Sequence, residues 1–549
     1  MLILQRLQSL KTASSGDVYG VQDGVTGDVT MLAVTVARLP HAPSLLLPPA
    51  LHLLASFTCL PEGGQQSTAQ KQHSSERNLH LTVKNKVVNV EQHDEGSDKW
   101  RVLKYSIVSQ EQFEQQMVAC RTTGRLDLSC NVAQAADIES TVSRWSSLLH
   151  SAASFRLRDT KLVLGIKGVL SSEHELDNVG DLIHNHNKNG YKKLNNLTFD
   201  LFVNRSCSSS TDAPHLIINN TNTKVQNTFL ELDCVAYVFR STPVVEVGRV
   251  LQQSILQKLQ LAKYWLGKLH NENIKGNLES INVLPYKAGH LYTLMYPNNS
   301  SDDKLEDYRK SVHECFLLPM KTPLMRRVNG YVFELSKEEY QLCNTHIGLK
   351  APAVSGMTSI TQGIYSYHHY MQDKFNDNKW GCAYRSLQTI VSWFRHQGYT
   401  TKTVPTHTQI QQCLVNIGDK QSKFVGSRDW IGSTEVGFVL ENYLGVTSRF
   451  LTVSSGSELG EKGRELVHHF STQGTPIMIG GGVLAHTILG VAWDPESGDI
   501  SYLILDPHYT GAEDLTTIQR MGWCGWKSPS FWNDKAYYNL CMPQRPAMI

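Results

Sequence analysis

An excess of either charge is what this 549-residue sequence most plainly lacks. Its 52 lysines and arginines stand against 50 aspartates and glutamates, so no basic field marks it for a nucleic acid. Paired metal-binding cysteines are missing as well. The eleven cysteines are scattered, without a C-x-x-C pair or a Cys/His spacing of zinc type, and their odd number fits free thiols in a reducing compartment. Long apolar runs are also scarce. Four apolar residues precede Gln5 and Arg6, too few for the core of a signal peptide. The charge-free interval between Arg38 and Glu62 is broken by Pro40, Pro43, Pro48 and Pro49, so no single helix there spans a bilayer. No internal repeat is visible. Gly480-Gly481-Gly482 has no Lys-Ser/Thr after it, which excludes a phosphate loop and leaves a tight turn between the apolar stretches 476–479 and 483–491. The Asn-x-Ser/Thr triplets at Asn196, Asn204, Asn219, Asn298 and Asn299 are chance matches in Asn/Ser-rich sequence, since they matter only in a secreted chain.

The length allows two or three cores. Residues 1–78 form a poorly defined segment, with valine-rich runs at 18–21 and 29–34 around glycines that predict a hairpin, and a Gly/Gln/Ser-rich interval at 61–78 that predicts a mobile loop. Residues 79–330 read as an α+β domain. Leu79, Leu81 and Val83 alternate with polar residues, a return strand is expected over 101–108, and further strands over 161–166, 197–203 and 230–239. Leu251, Ile255, Leu259, Leu266 and Leu269 make the apolar stripe of a helix over 247–270, and another helix is expected over 305–316. His184-Asn185-His186 has the spacing of a metal pair, but the Asn/Lys-rich context predicts a solvated turn. Past a Pro-containing basic connector at 319–327, glycines and aromatics become frequent, and a third region, 337–549, begins.

That region carries the chemistry. Leu387, Ile390, Val391 and Phe394 recur at the spacing of one buried helix face, with Gly398 as a stop. Cys382 therefore falls at a helix N-terminus, where orphan N–H groups and the positive end of the dipole favour a thiolate. Residues 502–508 read as a strand ending in Asp506-Pro507-His508, and an acid and an imidazole two apart share one face of a strand. Cysteine, base and orienting carboxylate are the parts of a thiol-protease triad. His368 and His369 are rival bases without so well placed an acid. A tyrosine hydroxyl can hold an oxyanion beside the Cys382 N–H, and spacing does not choose among Tyr365, Tyr367 and Tyr370. His486, inside an apolar stretch, reads as a satisfied histidine of the core or of the site's surroundings.

Trp380-Gly381-Cys382-Ala383-Tyr384-Arg385-Ser386, the block at 365–373, the block at 426–432, residues 478–491 and Asp506-Pro507-His508-Tyr509-Thr510-Gly511 closely resemble the ubiquitin-fold modifier-specific cysteine proteases, in the order and spacing of the longer, type 2 branch. The resemblance extends from about residue 337 to 549 and is fainter before residue 322. It implies a papain-like cysteine protease domain preceded by a separate α+β domain, an α+β chain throughout. It also implies cleavage after the C-terminal glycine of a ubiquitin-like modifier, both in its precursor and on lysines of target proteins. By position it assigns Cys382 as nucleophile, His508 as general base and acid, Asp506 as the residue orienting it and Tyr370 as oxyanion donor, with no cofactor and no metal. Trp430 and the glycines near it are the expected wall of a narrow groove. Lys379 departs from the pattern, which usually has glycine there.

The resemblance further implies partners: the modifier and its conjugates, and an adaptor at the endoplasmic-reticulum membrane engaged by the N-terminal domain. It implies a cytoplasmic location that includes the cytosolic face of that membrane, with the nucleus as a second site. The autophagy-modifier proteases share the Trp-Gly-Cys and Asp-Pro-His segments and are the nearest rival, although residues 383–386 and 509–511 fit them less well. A mainly non-catalytic adaptor is the rival of another class, opposed by the complete Cys/Asp/His/Tyr set.

Overall fold

A computed structural model of the protein divides into two units, residues 1–320 with 325–333 and Ile549, and residues 321–324 with 334–548. It describes the chain except for residues 1, 9, 11–13, 23–27, 37–38, 61–78, 95–98, 173–176, 187–195, 205–225, 272–275, 286–287, 334–340, 351, 353 and 355. The loop expected at 61–78 thus lies outside the described residues.

The first unit holds two sheets. In one, six strands run in the order Val29–Thr35, Ser14–Gln22, His52–Cys59, Leu79–Lys84, Val87–Asp94, Lys99–Leu103. The expected hairpin supplies the first antiparallel pair. His52–Cys59 and Leu79–Lys84 pair in parallel, so the line drawn at 78/79 falls inside one sheet. Leu81, Val83, Val88 and Val90 face its core, as their alternation requires. The return strand over 101–108 stops at Leu103.

An eight-stranded sheet follows, centred on Met117–Asp127 and Phe229–Phe239, which pair antiparallel along their whole length. The helix Val244–Asn271 lies on it with Leu251, Ile255, Leu259, Leu266 and Leu269 all buried. His184 and His186 do not sit in a turn: they close the helix Val179–His186. Val179, Leu182 and Ile183 are buried at the i, i+3, i+4 spacing, and that stripe outweighs the polar Asn/Lys context.

The second unit is built on a seven-stranded antiparallel sheet. Its order is Ser448–Val453, Tyr538–Pro543, Ile477–Gly481, Leu484–Trp493, Ile500–Leu505, Cys524–Lys527, with Met357–Ile360 also paired to Leu484–Trp493. Both faces are buried, so the strands read as nearly continuous apolar runs. Met478, Leu489, Leu503 and Leu505 join the core that contains the helix Cys382–His396. Ile477, Ile479, Ile488, Tyr502 and Ile504 face the opposite way, onto the helix Gly463–Thr472.

The helix Cys382–His396 is enclosed, with residues 383–394 all buried. It ends in a Schellman motif. Gly398, at φ 83, donates to the Arg395 carbonyl, and Tyr399 to that of Phe394. This helix begins at Cys382, so its buried face fixes where that thiol sits. Leu387→Ala empties a fully buried position and should cost about 2–5 kcal/mol, read as a lower urea midpoint for the full chain. A loss below about 1 kcal/mol would mean that the helix is not anchored by this face.

Candidate active site

Cys382 is the first residue of its helix. The turn before it is drawn tight by the Asp377 carbonyl, which accepts from Trp380 N (3.2 Å) and Gly381 N (2.9 Å). A Cβ on Gly381 would lie 2.6 Å from that of Asp377, so glycine is required there. Exposed Lys379 has φ 73, the left-handed region in which a side chain costs roughly 1–2 kcal/mol. That backbone is the physical reason for a glycine in the resembled pattern.

His508 comes from the end of a sheet strand whose Leu503 and Leu505 pack into the same core as the Cys382 helix. The strand Ile500–Leu505 ends one residue before Asp506, so a turn, rather than a strand face, brings acid and imidazole together. Asp506 Oδ1 accepts from the His508 backbone N (3.0 Å) and from Nδ1 (2.5 Å). His508 Nε2 is buried without a conventional partner, and the ring acts on the Cys382 thiol. Burial pushes the Cys382 pKa up, but the neighbouring His508 imidazole and its charge, with the Tyr370 hydroxyl and the Ala485 N–H, bring it below its ordinary value. Burial likewise opposes the His508 imidazolium, yet Asp506 and Cys382 raise its pKa from 6.5 to about 9. The pair is therefore poised as thiolate and imidazolium. Burial raises the Asp506 pKa, and the bond to His508 more than reverses this.

Geometry separates the three tyrosines. Tyr365 binds Thr345 and His346 through its hydroxyl (3.2 and 3.0 Å). Tyr367 donates to the Asp506 carbonyl (2.5 Å). Tyr370 alone of the three turns its hydroxyl to Cys382. Its ring stands edge-on to His508 at 5.3 Å, and its N–H donates to the Pro507 carbonyl (3.0 Å). The Cys382 N–H, first in the helix, has no intrahelical acceptor. A hydroxyl and an amide thus flank the sulfur where an oxyanion would form.

The rival histidines serve otherwise. His368 is buried, and burial drives its pKa to about 3. His369 faces acceptors through both ring nitrogens: the Tyr370 and Tyr509 carbonyls at Nδ1 (2.9 and 3.1 Å) and Glu513 Oε1 at Nε2 (2.8 Å). It clamps the tyrosine segment to the His508 turn. His486 lies with Nε2 3.8 Å from Asp506 Oδ2 and its ring 5.2 Å from that of His508, and burial lowers its pKa to about 4. His486, Asp506 and His508 are the one group among the described residues with metal-ligand spacing, all within 4.8 Å. Two of its donors are already committed to each other, an arrangement suited to proton transfer.

Beside the sulfur opens a cleft of about 250 Å³ lined by Trp380, Trp430, Gly432, the hairpin residues 480–485, Tyr537 and Asn539. Trp430 is 58% exposed. Its loop is held by Gln411, which bonds Gly426 N (2.8 Å) and the Ser427 carbonyl (2.9 Å), and by Tyr384, which donates to the Asp429 carbonyl (2.9 Å). The glycine run, expected only as a turn, also forms a wall. A Cβ at Gly481 would meet Tyr538 at 2.1 Å, so strand packing alone demands that glycine.

Two sequence profiles match the chain: peptidase family C78 over residues 356–541 and the N-terminal region of ubiquitin-fold modifier 1 specific protease 2 over residues 123–338. The chain is 50% identical over 354 residues to the Ufm1-specific protease 2 of Mus musculus, covering 64% of this chain and 76% of that protein. It is 49% identical over 366 residues to that of Homo sapiens, covering 65% and 78%. The crystal structure of UfSP from C. elegans superposes with a TM-score of 0.74 at 26% identity, covering 100% of this chain and 98% of that one.

The shifted pair sets a pH signature. Because the Cys382 pKa is depressed, the inflection of its iodoacetamide alkylation rate should lie below that of a free thiol, and His508→Ala should move it upward. Turnover should fall on the alkaline side as His508 loses its proton near 9. The linked stability runs with it: a histidine raised from 6.5 to about 9 stabilises the fold in full below 6.5 and loses that contribution as pH climbs through 9. An alkylation inflection near that of a free thiol in the wild-type protein would refute the ion pair.

Proposed function

The chain belongs to the Ufm1-specific protease 2 family, and from that premise we propose that it hydrolyses the bond after the C-terminal glycine of Ufm1, maturing the precursor and releasing the modifier from lysines of its conjugates. One observation carries the reading: a Cys382–His508–Asp506 triad with Tyr370 at its side sits at the end of a cleft walled by Gly432 and residues 480–482. Such walls admit a glycine and leave little room for a side chain.

The chemistry follows from the pair already described. The Cys382 thiolate attacks the glycine carbonyl carbon, and its oxygen takes up the displaced electron pair beside the Tyr370 hydroxyl and the Cys382 N–H. The tetrahedral centre collapses, the C–N bond breaks, and the imidazolium of His508 gives its proton to the leaving amine, either the next residue of a precursor or a lysine Nζ. Water then adds to the thioester while His508 takes its proton. Collapse expels the Cys382 thiolate, leaving His508 as the imidazolium, and the freed glycine carboxyl group gives its remaining proton to solvent. Asp506 keeps Nδ1 protonated throughout. Trp430, in the wall of the cleft, packs against the residues before the glycine.

A panel of ubiquitin-like precursors incubated with the full chain tests this. Ufm1 precursor should be cut, and autophagy-modifier precursors should not. Cys382→Ala should abolish cleavage, and Trp430→Ala should raise KM by about tenfold with smaller change in kcat, a loss of about 1.4 kcal/mol in binding. Cleavage of only the autophagy modifiers, or by the Cys382→Ala variant, would overturn the proposal.

We also propose that the first unit docks on an adaptor at the endoplasmic-reticulum membrane, placing the enzyme at its cytosolic face, with further cytoplasmic and nuclear pools. Family resemblance supports this. Among the described residues no helix is long and apolar enough to cross a membrane. Salt-washed microsomes should retain the full chain and lose a chain beginning at residue 334; equal retention of both would place the attachment elsewhere.

A further inference from the structure

The backbone immediately after Tyr370 is unusual. Met371, Asp373 and Lys374 lie at φ 65, 59 and 56, in the left-handed region that L-residues avoid. None of them is glycine. Such a segment keeps its path only where its surroundings over-determine it.

Those surroundings converge on Arg385, one helical turn beyond Cys382. Its guanidinium is only 1% exposed. Nε donates to Asp377 Oδ2 (2.5 Å), Nη1 to Asp373 Oδ2 (3.1 Å) and to Gln388 Oε1 (3.1 Å), and Nη2 to the Gln372 carbonyl (3.1 Å). Asp377 is fully buried, and its other oxygen accepts the Met371 N–H at 2.8 Å. The same residue's carbonyl draws in the turn at Trp380 and Gly381. One buried ion pair therefore ties the segment that follows the tyrosine to the turn that precedes the nucleophile. A buried pair of this kind adds little net stability over an apolar replacement, so its placement between two site-bearing segments calls for another explanation.

We propose that Arg385 is a positioning residue for Tyr370: through Asp377, Asp373 and the Gln372 carbonyl it holds residues 371–374 on the left-handed path that keeps the Tyr370 hydroxyl at Cys382. The inference rests on Tyr370 acting as the oxyanion donor. Arg385 touches neither sulfur nor substrate. Its effect on the reaction passes through the tyrosine, whereas the thiolate depends on His508.

A double-mutant cycle on the full chain with Ufm1 precursor separates these roles. Tyr370→Phe should lower kcat by about 10²-fold. Arg385→Met should lower it to a similar degree, with KM and the iodoacetamide alkylation rate of Cys382 each within about twofold of wild type. In the Tyr370→Phe background, Arg385→Met should cost less than about threefold more, because the group it positions is already gone. If Tyr370→Phe alone leaves kcat intact, the oxyanion reading fails. If it lowers kcat but the two losses multiply, or if alkylation falls with kcat, the Arg385 inference fails and the ion pair is only structural. Should Arg385→Met not fold, Asp373→Asn reads the same arm, since that side chain is 51% exposed. It should lower kcat about threefold in the wild-type background and leave kcat unchanged in Tyr370→Phe. Equal losses in both backgrounds, or none in either, would overturn the proposal.

Discussion

Burial works against the Cys382 thiolate, and the rest of the second unit is arranged around that conflict. A cleft that excludes water strengthens every dipole aimed at the reacting carbonyl, but the same dryness favours the neutral thiol. The imidazolium of His508 resolves the conflict, and it is itself penalised by burial. Asp506 closes the chain of dependence, since its carboxylate is held ionised by the histidine it orients. The three groups are stable as ions only together. His486, kept neutral beside the Asp506 carboxylate, fills space there without adding a competing positive charge.

Geometry around this trio comes from segments that meet edge to edge. The Tyr370 N–H on the Pro507 carbonyl, the Tyr367 hydroxyl on the Asp506 carbonyl and the His369 ring between the Tyr370 and Tyr509 carbonyls lace the tyrosine segment to the histidine turn. Asp377 and Arg385 lace it to the cysteine turn. The oxyanion side of the site is thus placed by contacts on both flanks, several of them from side chains onto backbone groups, which accounts for left-handed residues at Met371 and Asp373 where glycines would be cheaper.

Much of the chemistry was legible before any coordinates, because it depends on local spacing. A cysteine ahead of an apolar helix stripe, and an acid two residues before an imidazole, are readable in one dimension. The choice among Tyr365, Tyr367 and Tyr370 is not readable from spacing, and only the family resemblance singled out Tyr370. The choice turns on left-handed dihedrals at non-glycine residues, which composition does not announce. The glycine run at 480–482 read as a turn, but Gly480 and Gly481 end the strand and only Gly482 lies in the turn; its part in a wall was not readable, since Trp430 and Tyr537 come from distant parts of the chain. His184 and His186 misled through their polar neighbours, while the buried stripe of Val179, Leu182 and Ile183 made the helix. In the first unit the alternation of Leu79, Leu81 and Val83 showed a strand, but nothing local shows that it pairs in parallel with His52–Cys59 across the interval between them.

The order of strands in the second sheet bears on how the enzyme is made. Tyr538–Pro543, latest of these strands in the chain, is inserted between Ser448–Val453 and Ile477–Gly481, so the sheet has an open slot until nearly the whole domain has left the ribosome. Pairings of such long sequence separation form slowly and leave strand edges exposed meanwhile. The strands Ile477–Gly481, Leu484–Trp493, Ile500–Leu505 and Cys524–Lys527 lie side by side in chain order, so the late strand closes the sheet on the side away from the turn that carries His508.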